Sequence, residues 1–245
     1  MVLKSLVIAF CVSVSPLLAK DSRSTKSVDA FNKIETEGPL AISLVQGPKP
    51  MLNIEGPISI VKDLEVKVNN GRLIIDNNAD DEEDQIKVEI VTDQKVSSVE
   101  ISGATKFASK NQFTKEAYLT ISGASTVSIT DDLDKLKIES AGASKIHLED
   151  IKIKHLEIEM AGASKAKISG SGDSFDLDMA GAAAIKGSKF TVKNATIEAA
   201  GAANIELDVR DYLKAETFGA SRIRYVQKPK KITSSGIISS SISKL

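Results

Sequence analysis

The stretch "SAGASKIHL", residues 140–148, recurs along the chain in related forms. Its relatives are "ISGASTVSI" (121–129), "MAGASKAKI" (160–168) and "AAGAANIEL" (199–207). The central glycine of each copy belongs to a series with spacings of 17 to 20 residues: Gly103, Gly123, Gly142, Gly162, Gly181, Gly201, Gly219 and Gly236. A regular period of this length is typical of solenoids, in which each repeat forms one coil and packs on its neighbours.

Apolar residues fall at every second position on both sides of this glycine. Four residues before it stand Val99, Leu119, Ile138, Ile158, Leu177, Ile197, Ala215 and Ile232. Four residues after it stand Phe107, Val127, Ile146, Ala166, Ile185, Ile205 and Ile223. A period of two predicts strands with one buried face. The sequence therefore predicts an all-β fold, a parallel β-helix (solenoid) with coils of about 20 residues.

The Gly-Ala-Ser segment is predicted to be the bend between two strands of a coil, because small residues allow tight backbone packing. Serines follow the glycine in four coils and occupy one column: Ser125, Ser144, Ser164 and Ser221. We expect their hydroxyls to form a ladder along the stack. A catalytic serine is the rival interpretation, but it needs a base nearby. Two histidines, His147 and His155, cannot serve four serines.

The first 19 residues have the layout of a secretory signal peptide. Lys4 precedes an apolar run that ends at Leu18, and the small Ala19 follows as an expected cleavage site. An N-terminal membrane anchor is the alternative, but the run is short and Pro16 interrupts it. We therefore expect an exported protein in the periplasm, on the cell surface or secreted, with no transmembrane segment after the signal is removed.

The rest of the chain divides into three parts. Residues 20–27 are polar and are predicted to be a flexible lead-in. Residues 28–95 contain short alternating strands and a hairpin at Asn70-Gly71, and they are predicted to form an antiparallel or irregular β portion that caps one end of the rod. Residues 96–245 are predicted to hold the repeated coils, the last of them polar and rich in serine.

Composition narrows the possible functions. The formal net charge is −1, so bulk charge indicates neither nucleic acid nor an anionic membrane as a partner. The one cysteine, Cys11, lies in the predicted signal, which leaves no disulfide or thiol chemistry for the mature chain. No cofactor is predicted.

Two stretches of the N-terminal part, "FNKIETEGPLAISLVQG" (31–47) and "LEVKVNNGRLIID" (64–76), precede the serial Gly-Ala-Ser coils. Together these motifs resemble the "putative auto-transporter adhesin, head GIN domain" family of exported bacterial proteins over nearly all of residues 28–240. The resemblance implies a right-handed β-helix-like solenoid and an exported location. It implies little chemistry.

Acidic residues stand three positions before the glycine in six of the coils. They form a candidate ligand ladder: Glu100, Glu139, Glu159, Asp178, Glu198 and Glu216. Basic residues stand three positions after it: Lys106, Lys145, Lys165 and Arg222. Stacked like charges repel, so the acidic row is either a solvated, salt-bridged face, which we favour, or a site for divalent cations or basic ligands. The acidic run "DNNADDEED" (76–84) departs from a calcium loop and is predicted to be a solvated loop.

Two classes of function remain open. The first is a non-enzymatic, adhesin-like binding or structural protein whose long face binds an envelope component, a polysaccharide or a protein, and which could form oligomers. The second is a carbohydrate-active enzyme, since β-helices can carry polysaccharide cleavage. That chemistry requires two carboxylates in a cleft, and the available pairs, Asp131-Asp132 and Glu149-Asp150, lie in turn-like stretches. We favour binding.

Overall fold

The structure, a computed structural model, describes residues 21–78, 86–237 and 241–245. The fold is 77% strand and 3% helix, which confirms the predicted all-β class. The predicted signal peptide, residues 1–19, and residues 79–84 of the acidic run lie outside the described residues. All strands belong to one continuous hydrogen-bonded sheet that is wound into coils.

Strands from residue 96 onward form the repeating part of the solenoid. Their bounds are β8 (Val96–Ile101), β9 (Lys106–Lys110), β10 (Phe113–Gly123), β11 (Thr126–Thr130), β12 (Asp132–Gly142), β13 (Lys145–Gly162), β14 (Lys165–Gly181), β15 (Ala184–Gly201), β16 (Asn204–Gly219), β17 (Arg222–Tyr225), β18 (Lys231–Ile237) and β19 (Ser241–Lys244).

These strands pair in parallel, and the register is kept next to the glycine bend although it shifts at bulges elsewhere, as between Leu148 and Ile151 of β13 and between Gly187 and Thr191 of β15. The apolar column four residues before the glycine is continuous: Leu119, Ile138, Ile158, Leu177, Ile197 and Ala215 are partners in successive strands. Paired strands lie about 4.8 Å apart, so each coil advances the stack by that distance. The predicted parallel β-solenoid is therefore confirmed, with about seven turns.

Alternation along each strand builds the core. In β13, Leu156, Ile158 and Met160 are 0 to 2% exposed, whereas Glu157 and Glu159 between them face outward. Equivalent side chains of all coils merge into one apolar cluster. Each fully buried side chain of this size contributes about 1.5–3 kcal/mol. Stability is therefore distributed along the rod, because every coil supplies one layer of the same interior.

The bend of each coil depends on glycine. From Gly103 to Gly219 the repeated glycines have φ between +79° and +112°, a region that favours glycine. A Cβ on Gly162 would lie 2.5 Å from the carbonyl oxygen of Gly142, and a Cβ on Gly181 would lie 2.6 Å from that of Gly162. Glycine is thus required by backbone conformation and by the close approach of the preceding coil.

Backbone hydrogen bonds join these bends. Ala143 N donates to Gly123 O at 3.0 Å, and Ala163 N donates to Gly142 O at 2.9 Å. The same bond recurs at Ala124, Ala182, Ala202 and Ala220. From Gly103 to Gly219 the bends therefore continue the hydrogen-bonded ladder of the strands.

The four serines of the repeat are buried, but their hydroxyls do not form the expected side-chain ladder. Ser125 Oγ donates to Gly103 O at 3.1 Å, and Ser144 Oγ donates to Gly123 O at 3.4 Å. Ser164 and Ser221 make the equivalent bonds. The ladder therefore runs through glycine carbonyls of the preceding coil. A buried hydroxyl bonded in this way is structural.

The N-terminal part contributes seven strands and one short helix. Their bounds are β1 (Asp21–Ser27), β2 (Lys33–Glu37), β3 (Leu40–Gln46), β4 (Met51–Pro57), α1 (Ile58–Asp63), β5 (Glu65–Asn69), β6 (Arg72–Asp76) and β7 (Ile86–Thr92).

Part of this region is a regular coil of the stack, which corrects the expected antiparallel or irregular arrangement. β2 pairs in parallel with β6 on one side and with β8 on the other, and β3 pairs likewise with β7 and β9. The coil of β2 and β3 therefore lies between the coil of β6 and β7 and the coil of β8 and β9. Gly38, with φ +94°, lies against Gly103 and extends the glycine column.

Antiparallel pairing is confined to the end of the rod. β5 and β6 form the predicted hairpin at Asn70-Gly71, β4 pairs with β7, and β1 pairs with β4. The expectation of a flexible lead-in at residues 20–27 is wrong for residues 21–27, which form β1. Polar residues suit an edge strand, because its backbone is bonded while its side chains stay hydrated.

At the other end, Gly236 does not belong to the glycine column. It pairs with Thr217 rather than with Gly219, and Ile232 accordingly pairs with Leu213 rather than with Ala215. The assignment from spacing is therefore shifted by two residues in the last coil. Residues 226–230 connect β17 to β18 without a regular strand, so this link does not keep the period of the earlier coils.

We predict that Gly162→Ala destabilises the protein more than Gly71→Ala. Both glycines have positive φ, +100° and +73°, so each alanine carries backbone strain of about 1–3 kcal/mol. Only at Gly162 does the new Cβ also meet a backbone carbonyl, since at Gly71 the nearest atom would lie 3.5 Å away. Urea unfolding of the two variants measures the difference. Equal losses in the free energy of unfolding would show that close stacking at the bend contributes nothing.

Candidate functional site

The structure places the six predicted ladder residues in one outward column. Glu139, Glu159, Asp178, Glu198 and Glu216 are direct partners in successive strands, and Thr120 separates Glu100 from Glu139. Glu35 extends the column beyond Glu100, because β2 pairs with β8. We refer to these seven carboxylates, Glu35 included, as the acidic ladder.

Much of the acidic ladder is neutralised by cations of the same face. Lys137 Nζ lies 2.7 Å from Glu159, 3.1 Å from Glu139 and 3.1 Å from Glu157, a carboxylate beside the ladder. Hydrogen bonds to Glu159, Glu157 and Glu139, in that order, hold the pKa of the Lys137 ammonium above its usual range. The bond from Lys137 lowers the pKa of Glu157, against the opposing effect of burial.

Both ends of the acidic ladder are also paired. Arg72 lies 2.7 Å from Glu35 and 3.1 Å from Glu100, and Lys214 lies 2.8 Å from Glu216. Asp178 makes no hydrogen bond or ion pair within the described residues. There, too, no group of three or more His, Cys, Asp or Glu side chains has an arrangement that could hold a metal ion. The geometry of the acidic ladder is thus mainly that of a salt-bridged surface.

A serine, a histidine and an aspartate meet on this face, a contact that the sequence pattern does not predict. His155 Nδ1 lies 2.7 Å from Ser174 Oγ, and His155 Nε2 lies 3.5 Å from Asp176 Oδ2. Ser174 Oγ can also donate its proton to Lys154 O, at 3.2 Å. Lys154 O and His155 Nδ1 thus compete for the one hydroxyl proton, and the direction of the bond between Ser174 and His155 depends on the histidine tautomer.

The carboxylate pairs considered for catalysis serve the turns of the coils. Asp131 is buried and accepts hydrogen bonds from the backbone N–H groups of Phe113 and Asp132, at 2.9 and 2.8 Å. Asp150 has φ +51° and accepts a hydrogen bond from Ser169 Oγ at 3.4 Å. These contacts fix loop conformation and give no sign of a carbohydrate-active enzyme.

A groove of about 760 Å³ lies on the other side of the bend, near the N-terminal end of the rod. Its floor is made of small outward side chains of β3, β9 and β11, Ala41, Ser43, Ala108, Thr126 and Ser128. Residues of β1 and β4 form the opposite wall. The lining residues belong to six strands that are neighbours in the sheet, in the order β1, β4, β7, β3, β9 and β11, so the groove lies on one continuous face.

The charged residues of the groove are three cations and two carboxylates, and one of the carboxylates is paired with two of the cations. Arg23, Lys87 and Lys106 line it together with Glu55 and Glu89. Glu55 lies 3.1 Å from Arg23 and 3.4 Å from Lys87, and these contacts lower the pKa of the Glu55 carboxyl. The hydrogen bond from Lys87 makes the largest contribution to that shift. The groove therefore has no excess of negative charge, and its exposed lining is more apolar than polar.

Four exposed lysines continue from the groove along the same face. Lys145 and Lys165 are direct partners in β13 and β14, in the column of Thr126. Lys167 and Lys186 are partners in β14 and β15, in the column of Ser128. We call these four residues, Lys145, Lys165, Lys167 and Lys186, the lysine patch, and the side of the rod that holds it and the groove the basic face.

The lysine patch differs from the acidic ladder in having no counter-charge. None of its four ammonium groups makes a hydrogen bond or ion pair within the described part of the chain. Glu206, the strand partner of Lys186, is paired with Arg224 instead, and Glu149 lies at the margin, in β13. Like charges opposite each other on neighbouring strands are destabilising. An anionic ligand would relieve that repulsion.

Sequence spacing finds half of this surface. Lys106, Lys145 and Lys165 stand three residues after a repeat glycine and are recognised in that way. The second column is missed, although Lys167 and Lys186 stand five residues after Gly162 and Gly181. The groove has no sequence signal, because it depends on β1 and β4 adding to the sheet in antiparallel orientation.

Lys137→Gln is predicted to destabilise the protein at neutral pH, because Glu139, Glu157 and Glu159 lose their shared cation. Glu157 has a pKa below its ordinary value of 4.5 in the folded state, so its contribution is present above pH 4.5 and disappears as pH falls through the lowered pKa. The difference in unfolding free energy between wild type and variant should therefore shrink between about pH 7 and pH 3. Lys152→Gln, at an exposed lysine without an ion pair, is the control. A difference that is independent of pH would contradict this account.

No described helix combines the length and the apolar character needed to cross a membrane.

Solved structures with the same fold include three from the genus Parabacteroides. A putative adhesin from Parabacteroides merdae ATCC 43184 has a TM-score of 0.82 and 16% sequence identity, covering 93% of this chain and 97% of that chain. A putative adhesin from Parabacteroides distasonis ATCC 8503 gives 0.82 and 16%, covering 92% and 97%. A protein of the same organism, titled a putative lipid binding protein, gives 0.81 and 18%, covering 93% and 98%.

No curated protein matches the chain in sequence. The family described as "putative auto-transporter adhesin, head GIN domain" matches residues 30–229, which include β2 to β17 and hence the glycine column, the acidic ladder, the lysine patch and most of the groove. The chain belongs to the "putative auto-transporter adhesin, head GIN domain" family.

Proposed function

We propose that this protein is an exported, non-enzymatic, adhesin-like protein that binds a component of the cell envelope through its basic face. Membership of an adhesin family favours an exported or surface protein. The layout of residues 1–19, with Lys4, the apolar run and Ala19, supports export by a signal peptide. Mature protein would then meet envelope polymers or proteins before any cytoplasmic partner.

One observation carries the choice of face. The lysine patch presents stacked ammonium groups without counter-charges, and it lies in the same two columns as the floor of the groove. Concave, mostly apolar depressions with a few polar groups are the usual location of ligand sites. Charge and shape therefore coincide on one side of the rod.

The acidic ladder is the weaker candidate for the binding surface. Lys137, Arg72 and Lys214 already neutralise five of its seven carboxylates, Glu139, Glu159, Glu35, Glu100 and Glu216. A ligand would have to displace these internal partners and would gain little in exchange. We assign it the role of a soluble flank that discourages association between rods.

The test is binding of the full-length protein to sedimented envelope fragments of its own source cells. We expect replacement of all four lysines of the lysine patch by glutamine to reduce the apparent affinity by about tenfold or more, because each exposed ion pair contributes up to about 1 kcal/mol. A matched control replaces Lys33, Lys67, Lys152 and Lys228, four exposed lysines without ion pairs that lie elsewhere, so the net charge changes equally.

Unchanged binding by the lysine-patch variant, or equal losses in both variants, would overturn the assignment of the face. Thermal unfolding of both variants should match the wild type or slightly exceed it for the lysine-patch variant, because the substitution removes repulsion. That measurement separates loss of a site from loss of the fold.

A further inference from the structure

We infer that the ligand of the basic face is a linear polymer of acidic sugars, of the polyuronate class, lying parallel to the axis of the solenoid. The chain would begin in the groove and cross the lysine patch. This inference rests on the proposed function and names the ligand class for the same face.

The groove and the lysine patch are joined by two continuous columns of outward-facing residues. The column three residues after the glycine runs through Ala41, Lys106, Thr126, Lys145 and Lys165 as direct strand partners. The column two residues further on runs through Ser43, Ala108, Ser128, His147, Lys167 and Lys186. From β3 to β15 these columns cross five strand spacings, about 24 Å in all. The groove and the lysine patch are therefore one elongated surface rather than two sites.

The ammonium groups of the lysine patch repeat at a regular distance along the axis of the solenoid. Lys145 and Lys165 are one strand spacing apart, as are Lys167 and Lys186, so cations recur about every 4.8 Å along the axis. A small anion would contact one or two of them and leave the others unpaired. An extended chain of uronate rings carries one carboxylate per ring at a spacing of the same order. Such a polymer can pair with every lysine of the patch at once.

The floor of the groove combines hydroxyl-bearing side chains with alanines. Ser43, Thr126 and Ser128 present hydroxyls there. The amide of Asn53 on the wall is held by Thr25 and Glu89, at 3.0 and 2.8 Å. The three hydroxyls of the floor donate and accept hydrogen bonds and suit the hydroxyls of a sugar ring. Alanines at positions 41 and 108 keep the floor low, so that a ring can approach the sheet. The groove thus offers one end of the chain a low floor with three hydroxyls on an otherwise largely apolar surface.

The basic face differs from surfaces that bind a bilayer or a single-stranded nucleic acid. Surfaces that bind bilayers insert large apolar side chains. The exposed large hydrophobic residues that the structure describes, Ile58, Tyr118, Phe218 and Leu245, lie outside the columns of the basic face. Single-stranded nucleic acids are bound by stacking on aromatic rings. Phe107, the aromatic residue that lines the groove, is 2% exposed and faces the core.

The test uses polygalacturonate as the probe, titrated into the full-length protein and followed by calorimetry at about 50 mM and about 500 mM salt. We expect binding at low salt that weakens at least tenfold at high salt, because exposed charges are screened within about 10 Å at 0.1 M salt and within a shorter distance at higher salt. Fully methyl-esterified polygalacturonate keeps the backbone and removes the charge, and it should not bind. Oligomers too short to reach from the groove to Lys186 should bind less tightly than long ones.

Two variants and one control locate the polymer on the protein surface. The lysine-patch variant, with Lys145, Lys165, Lys167 and Lys186 replaced by glutamine, should lose at least tenfold in affinity for polygalacturonate. The variant at Lys33, Lys67, Lys152 and Lys228 should stay within about twofold of wild type. Ser128→Tyr fills the groove floor and should weaken binding of long chains without altering the lysine patch.

The outcomes separate the inference from the proposed function. Failure of polygalacturonate to bind, while envelope fragments still bind through the lysine patch, overturns the ligand class and leaves the proposed function intact. Stronger binding to vesicles of phosphatidylglycerol and phosphatidylcholine than to polygalacturonate also overturns it, in favour of a lipid surface. If the wild-type protein binds neither polygalacturonate nor envelope fragments, both proposals are wrong.

Discussion

Close stacking of the glycine bends is the constraint on which the remaining structure depends. At each bend the backbone of one coil lies against the carbonyl of the coil before it, at a distance that a Cβ would violate, as between Gly162 and Gly142. Because the bends are in contact and hydrogen-bonded, neighbouring coils cannot slip by one residue. Such a slip would turn every buried side chain of a strand outward. The glycines therefore keep Leu156 and Ile158 inside and Glu157 and Glu159 outside.

The alignment of equivalent residues in successive coils has an electrostatic consequence. A residue type that recurs at one position of the repeat becomes a row of like charges about 4.8 Å apart, and the chain must neutralise the row or leave it for a partner. Before the bend it supplies Lys137, Arg72 and Lys214 to the acidic ladder. After the bend, no anion of residues 21–78, 86–237 or 241–245 pairs with the lysine patch. The difference between two faces built by the same repeat supports a binding role for the second.

Periodic features were predictable from sequence, and non-periodic ones were not. The columns of Ile138 and Glu139 follow from a spacing of 19 or 20 residues around Gly142. Gly38 escaped recognition because the outermost coil is inserted between it and Gly103, 65 residues later, although the two bends are in contact. Gly236 matched the period by spacing alone and pairs two residues away from the column. β1 and the groove depend on antiparallel pairing across distant segments, for which a polar strand gives no local signal.

The stacking of equivalent residues in successive coils is tested most directly by measuring distances between such residues in different coils. Spin labels can be attached to cysteines at Thr120 and Glu198, or at Thr120 and Glu216, in a chain whose Cys11 is replaced by serine. These pairs lie four and five strand spacings apart in one column. Pulsed electron resonance should give mean separations near 19 and 24 Å, increasing by about 4.8 Å per coil. Equal separations for the two pairs, or a shorter one for Glu216 than for Glu198, would contradict the stacked solenoid.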